Sequence, residues 1–72
     1  MSDTSGPDAM LDKAIGLYRQ GKFAEVRSVL RALIEQTPGH VSAWNLLGYL
    51  ERDVGQAGAA AAAFERALEL QP

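Results

Sequence analysis

Apolar residues recur along this chain every three or four positions, in four stretches separated by glycine or proline. This spacing places the apolar side chains on one face of an α-helix. We therefore expect four helices: over residues 9–20, from residue 23 to the Pro38-Gly39 pair, over residues 41–54 and over residues 57–70. No stretch alternates apolar and polar residues over the length of a strand, so the expected fold class is all-α. Because the connections are only a few residues long, neighbouring helices should be antiparallel.

The glycine and proline residues that follow the expected helices recur after 34 positions. Gly21 and Gly55 follow the first and third helices, and Pro38 and Pro72 follow the second and fourth, each pair 34 positions apart. Glycine suits a helix end because it readily adopts the left-handed backbone conformation of a C-cap. The order helix, glycine, helix, proline thus occurs twice, which indicates an internal repeat.

The second unit contains the more specific signature. Its first helix opens with Trp44, Leu47 and Gly48 at the spacing W-x2-L-G. Small, aromatic, small and proline residues then follow at the offsets of one known repeat, at Ala60, Phe64, Ala67 and Pro72. The pattern resembles the tetratricopeptide repeat over nearly the whole chain. The family's tyrosine position is held by Glu51, which leaves this hairpin less apolar there.

The first unit departs further from the family pattern. Met10, Lys13 and Leu17 stand where the repeat has tryptophan, leucine and tyrosine, and Val26 replaces the first alanine. A terminal repeat is expected to be atypical, since one of its faces meets water instead of a neighbouring repeat. Lys13 at a normally buried position suits such an end.

The resemblance implies two antiparallel helix-turn-helix hairpins, stacked as a short right-handed α-solenoid of four helices. We expect a disordered leader over residues 1–6, a first repeat over residues 7–40, and a second over residues 41–72 without a capping helix. Gly48 and Ala60 are small where two helices must approach closely, and Trp44 and Phe64 are large where the gap between hairpins must be filled. The expected buried face of the fourth helix consists of Ala60, Phe64, Ala67 and Leu68.

Composition excludes several functions. The chain has no cysteine, which removes disulfides, thiolate zinc sites and cysteine nucleophiles. Its formal net charge of −2 is carried by scattered acids and bases, so we expect no nucleic-acid partner. No apolar run approaches the roughly 20 residues that span a bilayer, and the polar, acidic N-terminus does not resemble a signal peptide. We therefore expect no membrane association and a cytoplasmic location.

No constellation of residues points to catalysis. His40, the one histidine, lies in the turn between the hairpins without companions for a metal site or a general base. The surface acidic pairs, Asp8 with Asp12 and Glu65 with Glu69, have no apolar pocket to perturb their proton affinity. The prediction is a non-enzyme with no catalytic residues, no metal and no cofactor.

In the family that this chain resembles, the first helix of each hairpin lines a concave groove in which ligands lie. Carried over by position, the partner-binding residues are Leu11, Ile15, Tyr18 and Arg19 from the first unit and Asn45, Leu46, Tyr49 and Arg52 from the second. Members that capture a C-terminal carboxylate use lysine and asparagine at several of these positions. Leu11, Ile15 and Leu46 stand there instead, so that mode of binding is not indicated.

An apolar strip with two tyrosine hydroxyls and an arginine rim favours an amphipathic helix or an apolar extended peptide as the ligand. The competing interpretation is that Leu11, Ile15 and Leu46 only pack against each other between the hairpins. The leading function is a protein-interaction scaffold. The alternatives are an N-terminal accessory segment of a larger bacterial transferase or hydroxylase, which rests on analogy of fold alone, and a secretion-type chaperone.

The fourth helix carries a further expectation. Repeat arrays generally need about three units for stability, and the last hairpin here has no capping helix. We therefore expect either a longer array, from which this chain is truncated, or a homo-oligomer that forms through the fourth helix. The residues expected to face the missing neighbour are Ala60, Ala63, Ala67 and Leu70.

Overall fold

The computed structural model describes residues 6–71. Four helices run in the order α1 (Pro7–Arg19), α2 (Phe23–Gln36), α3 (Val41–Asp53) and α4 (Ala57–Leu70). Over the described residues there is no strand, and no helix is long and apolar enough to cross a membrane. The four predicted helices and the all-α class are confirmed. The predicted disordered leader lies outside the described residues except for Gly6, and the closing proline of the second repeat, Pro72, lies outside them too.

Two glycines shape the turns inside the hairpins. Gly21 has φ of 77° and Gly55 has φ of 83°, a left-handed conformation that side chains disfavour. In the first hairpin the N–H groups of Gly21 and Lys22 donate to the carbonyl oxygens of Tyr18 and Leu17, both at 3.0 Å. The second hairpin makes the same two bonds 34 positions later, at 3.1 and 2.7 Å. These bonds satisfy carbonyl groups that the helix end leaves unpaired, so the predicted glycine stops are confirmed.

The helices form two stacked hairpins. α1 packs along α2, and α3 packs along α4. The second hairpin rests on the first mainly through α2 and α3, and α1 also touches α3. As a result α1 and α3 lie side by side in one layer of the molecule.

The core is small and lies at the centre of this stack. Its fully buried side chains come from the first three helices: Ala14, Val26, Leu30, Leu33, Ala43 and Leu50. α4 buries only alanines, at positions 60, 63 and 67. Leu68, which we expected on the buried face, is 69% exposed, so that prediction is wrong. The alanines allow α4 to lie close to α3, and a residue one position after Ala67 points about 100° away from that contact.

A buried carboxylate ties the two hairpins together. Glu51 is 8% exposed and is the one charged side chain classed as buried among residues 6–71. Arg27 of α2 donates to both of its oxygens, from Nη2 to Oε1 at 2.6 Å and from Nε to Oε2 at 3.2 Å. The hydrogen bond to Glu51 and its charge raise the pKa of the Arg27 guanidinium. The departure from the family's tyrosine at position 51 is thus matched by an arginine on the preceding hairpin.

Candidate functional site

α1 and α3 present two matching rows of side chains on one surface. The residues of each row are spaced by three, four and three positions, which aligns them along a helix. The α1 row is Asp8, Leu11, Ile15 and Tyr18, and the α3 row is Ser42, Asn45, Tyr49 and Arg52. Each member of the second row lies 34 positions after its counterpart in the first.

An open cleft of about 240 Å³ lies between these rows. Its lining residues are Leu11, Ile15, Ser42, Asn45, Leu46 and Tyr49. Five of the six belong to the set of residues predicted to bind a partner, and the structure brings them together. Ser42 was missed, although it precedes Asn45 by three positions and its place in the row could have shown it. The other predicted residues, Tyr18, Arg19 and Arg52, do not line the cleft itself.

The aliphatic walls of the cleft differ in how deeply they pack. Leu11 and Leu46 are half-buried and also contact the central core cluster. Packing between the hairpins, the competing interpretation, is therefore part of the role of these two residues. Ile15 is half-buried and lies outside that cluster, so its side chain is the aliphatic one most available to a ligand.

Tyr49 is the aromatic side chain of the cleft, and it is held in place on two sides. It is 45% exposed. Its ring meets Phe64 of α4 edge to face, with centroids 5.3 Å apart and planes at 73°. The guanidinium carbon of Arg52 lies 5.1 Å from its centroid, within cation–π range. Gly48 leaves room for Phe64, because a Cβ at position 48 would lie 2.5 Å from Cε1 of that ring.

Polar contacts also join α1 and α3 about one turn beyond Ile15 and Tyr49 of the cleft. The Tyr18 hydroxyl donates to the Asp53 carboxylate. This hydrogen bond, together with burial and the negative charge of Asp53, raises the pKa of Tyr18. The other Asp53 oxygen lies 3.6 Å from Nε of Arg52. Tyr18 also packs against Phe23, with centroids 5.5 Å apart. Its hydroxyl therefore joins the two helices.

The turn between the hairpins uses His40 and Trp44 for structure. Nδ1 of His40 accepts a hydrogen bond from the Ala43 N–H at 3.2 Å, which caps the start of α3. Trp44 is half-buried, and its indole N–H donates to the Pro38 carbonyl at 2.9 Å. Across residues 6–71, no three histidine or acidic side chains cluster in a way that could hold a metal ion.

The residues predicted for self-association lie elsewhere than expected. Ala60, Ala63 and Ala67 are only 5, 3 and 4% exposed, and Leu70 is half-buried. They face the interior because the second hairpin uses its smallest side chains where α4 approaches α3. These three alanines therefore cannot form a surface for a second copy, and their assignment to one is wrong. The exposed residues of α4 are Ala57, Gly58, Ala59, Ala61, Ala62, Glu65, Arg66, Leu68 and Glu69.

Two stacked helical hairpins with identical turns 34 residues apart define a helical-repeat protein. A family model described as "Tetratricopeptide repeat" matches residues 11–72, and the chain belongs to the tetratricopeptide-repeat family. It is also similar to a peroxisomal targeting signal receptor of Pichia angusta, with 41% identity over 51 residues. That match covers 71% of this chain and 9% of the receptor. No solved structure matches the chain. The family indicates a role in protein interaction.

Proposed function

We propose that this chain is a protein-interaction module that binds a peptide or helical segment of a partner in the cleft between α1 and α3. The observation that carries the proposal is that both hairpins contribute apolar side chains to one open cleft. Ile15 comes from the first hairpin and Tyr49 from the second. A ligand in this place would contact both repeats at once.

The size and lining of the cleft suit the side chains of a bound peptide. At about 240 Å³ it is smaller than the roughly 300–1,000 Å³ typical of small-molecule sites. Tyrosine and arginine are the residues that dominate binding energy at protein interfaces. Tyr49 is already fixed by Phe64 and Arg52, so ordering it on binding costs little conformational entropy.

The similarity to a targeting signal receptor supports recognition of a signal in a partner protein, although this chain covers only 9% of that receptor. The cytoplasm remains the predicted compartment. The accessory role in a larger enzyme gains no support from any residue of the cleft.

The test is selection from a displayed library of random peptides on the immobilised protein, followed by the same selection on two variants. Ile15→Glu places a carboxylate in the cleft without disturbing the core cluster. Val54→Glu is the control, because Val54 is 37% exposed and does not line the cleft. Thermal unfolding of both variants verifies that they are folded.

We expect the wild type and Val54→Glu to enrich the same apolar peptides, and Ile15→Glu to lose them. If Ile15→Glu enriches the wild-type set unchanged, the cleft is not the binding site.

A second candidate function is self-association through the exposed side of α4. Leu68 favours it, because it is the most exposed large apolar side chain of residues 6–71, at 69%. Its counterpart 34 positions earlier, Ile34, is half-buried and packs on the core where α3 covers α2. Sedimentation velocity at several concentrations should show a dimer that Leu68→Lys disperses and Val54→Lys does not. A monomer at every concentration would exclude this function.

A further inference from the structure

We infer that the cleft selects a peptide with a basic side chain at one end, apolar side chains in the middle and an acidic side chain at the other end. This inference rests on the proposed function. Its basis is that the two rows of side chains that flank the apolar cleft end in opposite charges, Asp8 at one end and Arg52 at the other.

The acidic end is formed by the start of α1. Asp8 is exposed in the first turn and lies three positions before Leu11, a lining residue of the cleft. It holds the same place in its row that Ser42, also a lining residue, holds in the other row. Asp12 is exposed beside it, and together they give this end of the surface a negative charge.

The basic end is formed by the last turns of α1 and α3. Arg52 packs against the Tyr49 ring, yet 61% of its side chain remains exposed. The guanidinium group is therefore held in position and is still accessible to a ligand. Arg19 is exposed in the last turn of α1. Asp53 offsets part of this charge, because one of its oxygens is 3.6 Å from Arg52, while the other accepts from Tyr18. The two guanidinium groups outnumber this one carboxylate.

The distance between the charged ends sets the spacing in the ligand. Ser42, level with Asp8, and Arg52 are ten residues apart, which is about 15 Å along a helix. A ligand would therefore carry its base and its acid about ten residues apart if helical, or about four to five apart if extended. A ligand that lies the other way round would place like charges together at both ends.

Each exposed ion pair of this kind changes affinity by about 1.4- to fivefold. The charges thus orient a ligand that the apolar cleft holds. Because both ends of the surface are exposed, the pairs should weaken as salt is added.

The experiment repeats the peptide selection on a variant with both ends inverted, Asp8→Lys/Arg52→Glu. The random segment is flanked by fixed linkers on both sides, so that no free terminal carboxylate is present. The matched control is Glu25→Lys/Arg31→Glu, which makes the same two changes on α2. Glu25 is also acidic in the first turn of its helix, and both control residues are exposed, so the loss of helix-dipole stabilisation at Asp8 is reproduced.

We expect wild type and control to enrich peptides in which base and acid occur in one fixed order along the chain, and the inverted variant to enrich the reverse order. A synthetic, acetylated and amidated form of a peptide enriched by the wild type should bind the inverted variant at least about two- to 25-fold more weakly, since two pairs are lost and like charges face each other in their place. The difference should shrink at 1 M salt.

Four outcomes overturn the inference. Apolar peptides without a charge order would leave the proposed function standing and remove this one. An enriched sequence that, as a synthetic peptide, binds measurably only with a free C-terminus would assign the basic end to a terminal carboxylate. A wild-type dimer that Ile15→Glu dissociates would place a second copy of the chain in the cleft. No enriched peptide at all would remove the proposed function and the inference together.

Discussion

Gly48→Ala adds one methyl group at the contact between α3 and α4, and the structure predicts that it destabilises the protein. The added Cβ would lie 2.5 Å from Cε1 and 2.7 Å from Cδ1 of Phe64. The ring cannot move freely, because it also supports Tyr49 edge to face. Overpacking of this kind costs about 1–3 kcal/mol. Replacing glycine with alanine inside a helix stabilises the folded protein by about 1 kcal/mol, so the net effect is a loss of stability of roughly 1 kcal/mol.

Gly16→Ala is the matched control, because it makes the same change inside α1. A Cβ at position 16 would meet nothing within 4 Å, so only the gain in helix propensity remains. This variant should be more stable than wild type by about 0.5–1 kcal/mol. Since the propensity gain is common to both variants, the difference between them isolates the clash with Phe64, at about 1–3 kcal/mol.

The first hairpin supplies a second check. At the positions 34 residues before Gly48 and Phe64 it has Ala14 and Leu30, both fully buried. Combining Gly48→Ala with Phe64→Leu recreates that pair in the second hairpin. In a double-mutant cycle the two changes should therefore couple favourably, by about 0.5–3 kcal/mol.

The assay is urea unfolding and thermal unfolding followed by far-ultraviolet circular dichroism. For a domain of this size, 1 kcal/mol corresponds to a change in Tm of about 4–8 °C. If Gly48→Ala proves as stable as Gly16→Ala, the close approach at Phe64 does not limit the packing and the reasoning fails.

Two further predictions concern the polar contacts between the hairpins. Arg27→Leu should lower the free energy of unfolding by about 1–3 kcal/mol, because it leaves the buried carboxylate of Glu51 unpaired. In urea unfolding, the double variant Arg27→Leu/Glu51→Leu should recover most of that loss. A double variant as unstable as the single one would contradict this. Because the pKa of Tyr18 is raised from 10.0, the unfolded chain releases this proton at lower pH than the folded one, so stability should fall as pH rises above about 10. Tyr18→Phe should reduce that fall, and an unchanged pH profile would show that the hydrogen bond to Asp53 does not matter for stability.

The helices and their ends follow from local sequence, which is why these predictions are confirmed. Apolar spacing and the two glycines depend only on neighbouring residues, and Gly21 and Gly55 both adopt the left-handed conformation that was expected of them. The cleft was largely predictable for a related reason. Once the repeat places α1 and α3 in one layer, the helical period decides which side chains share its surface.

The features that the sequence did not predict are contacts between residues far apart in the chain and the choice between neighbouring apolar side chains on α4. Arg27 and Glu51 are 24 positions apart, and neither suggests the other without the stacking of the hairpins. Tyr18 and Asp53 are 35 apart. Half of the 14 positions of α4 are alanine, so the apolar period does not distinguish Ala67 from Leu68. The apolar period predicts that both are buried, whereas close helix packing buries only the smaller one.

The two hairpins solve the same packing problem differently, and the difference is visible in the cleft. In the first, Ala14 and Leu30 are both fully buried, and Ile15 is the side chain that reaches the cleft. In the second, the smaller Gly48 admits the larger Phe64, whose ring then supports Tyr49 at the position corresponding to Ile15. A change from glycine to alanine at position 48 would therefore act on more than stability. By displacing Phe64 it would release Tyr49, and with it the Arg52 that the ring positions at the basic end of the cleft.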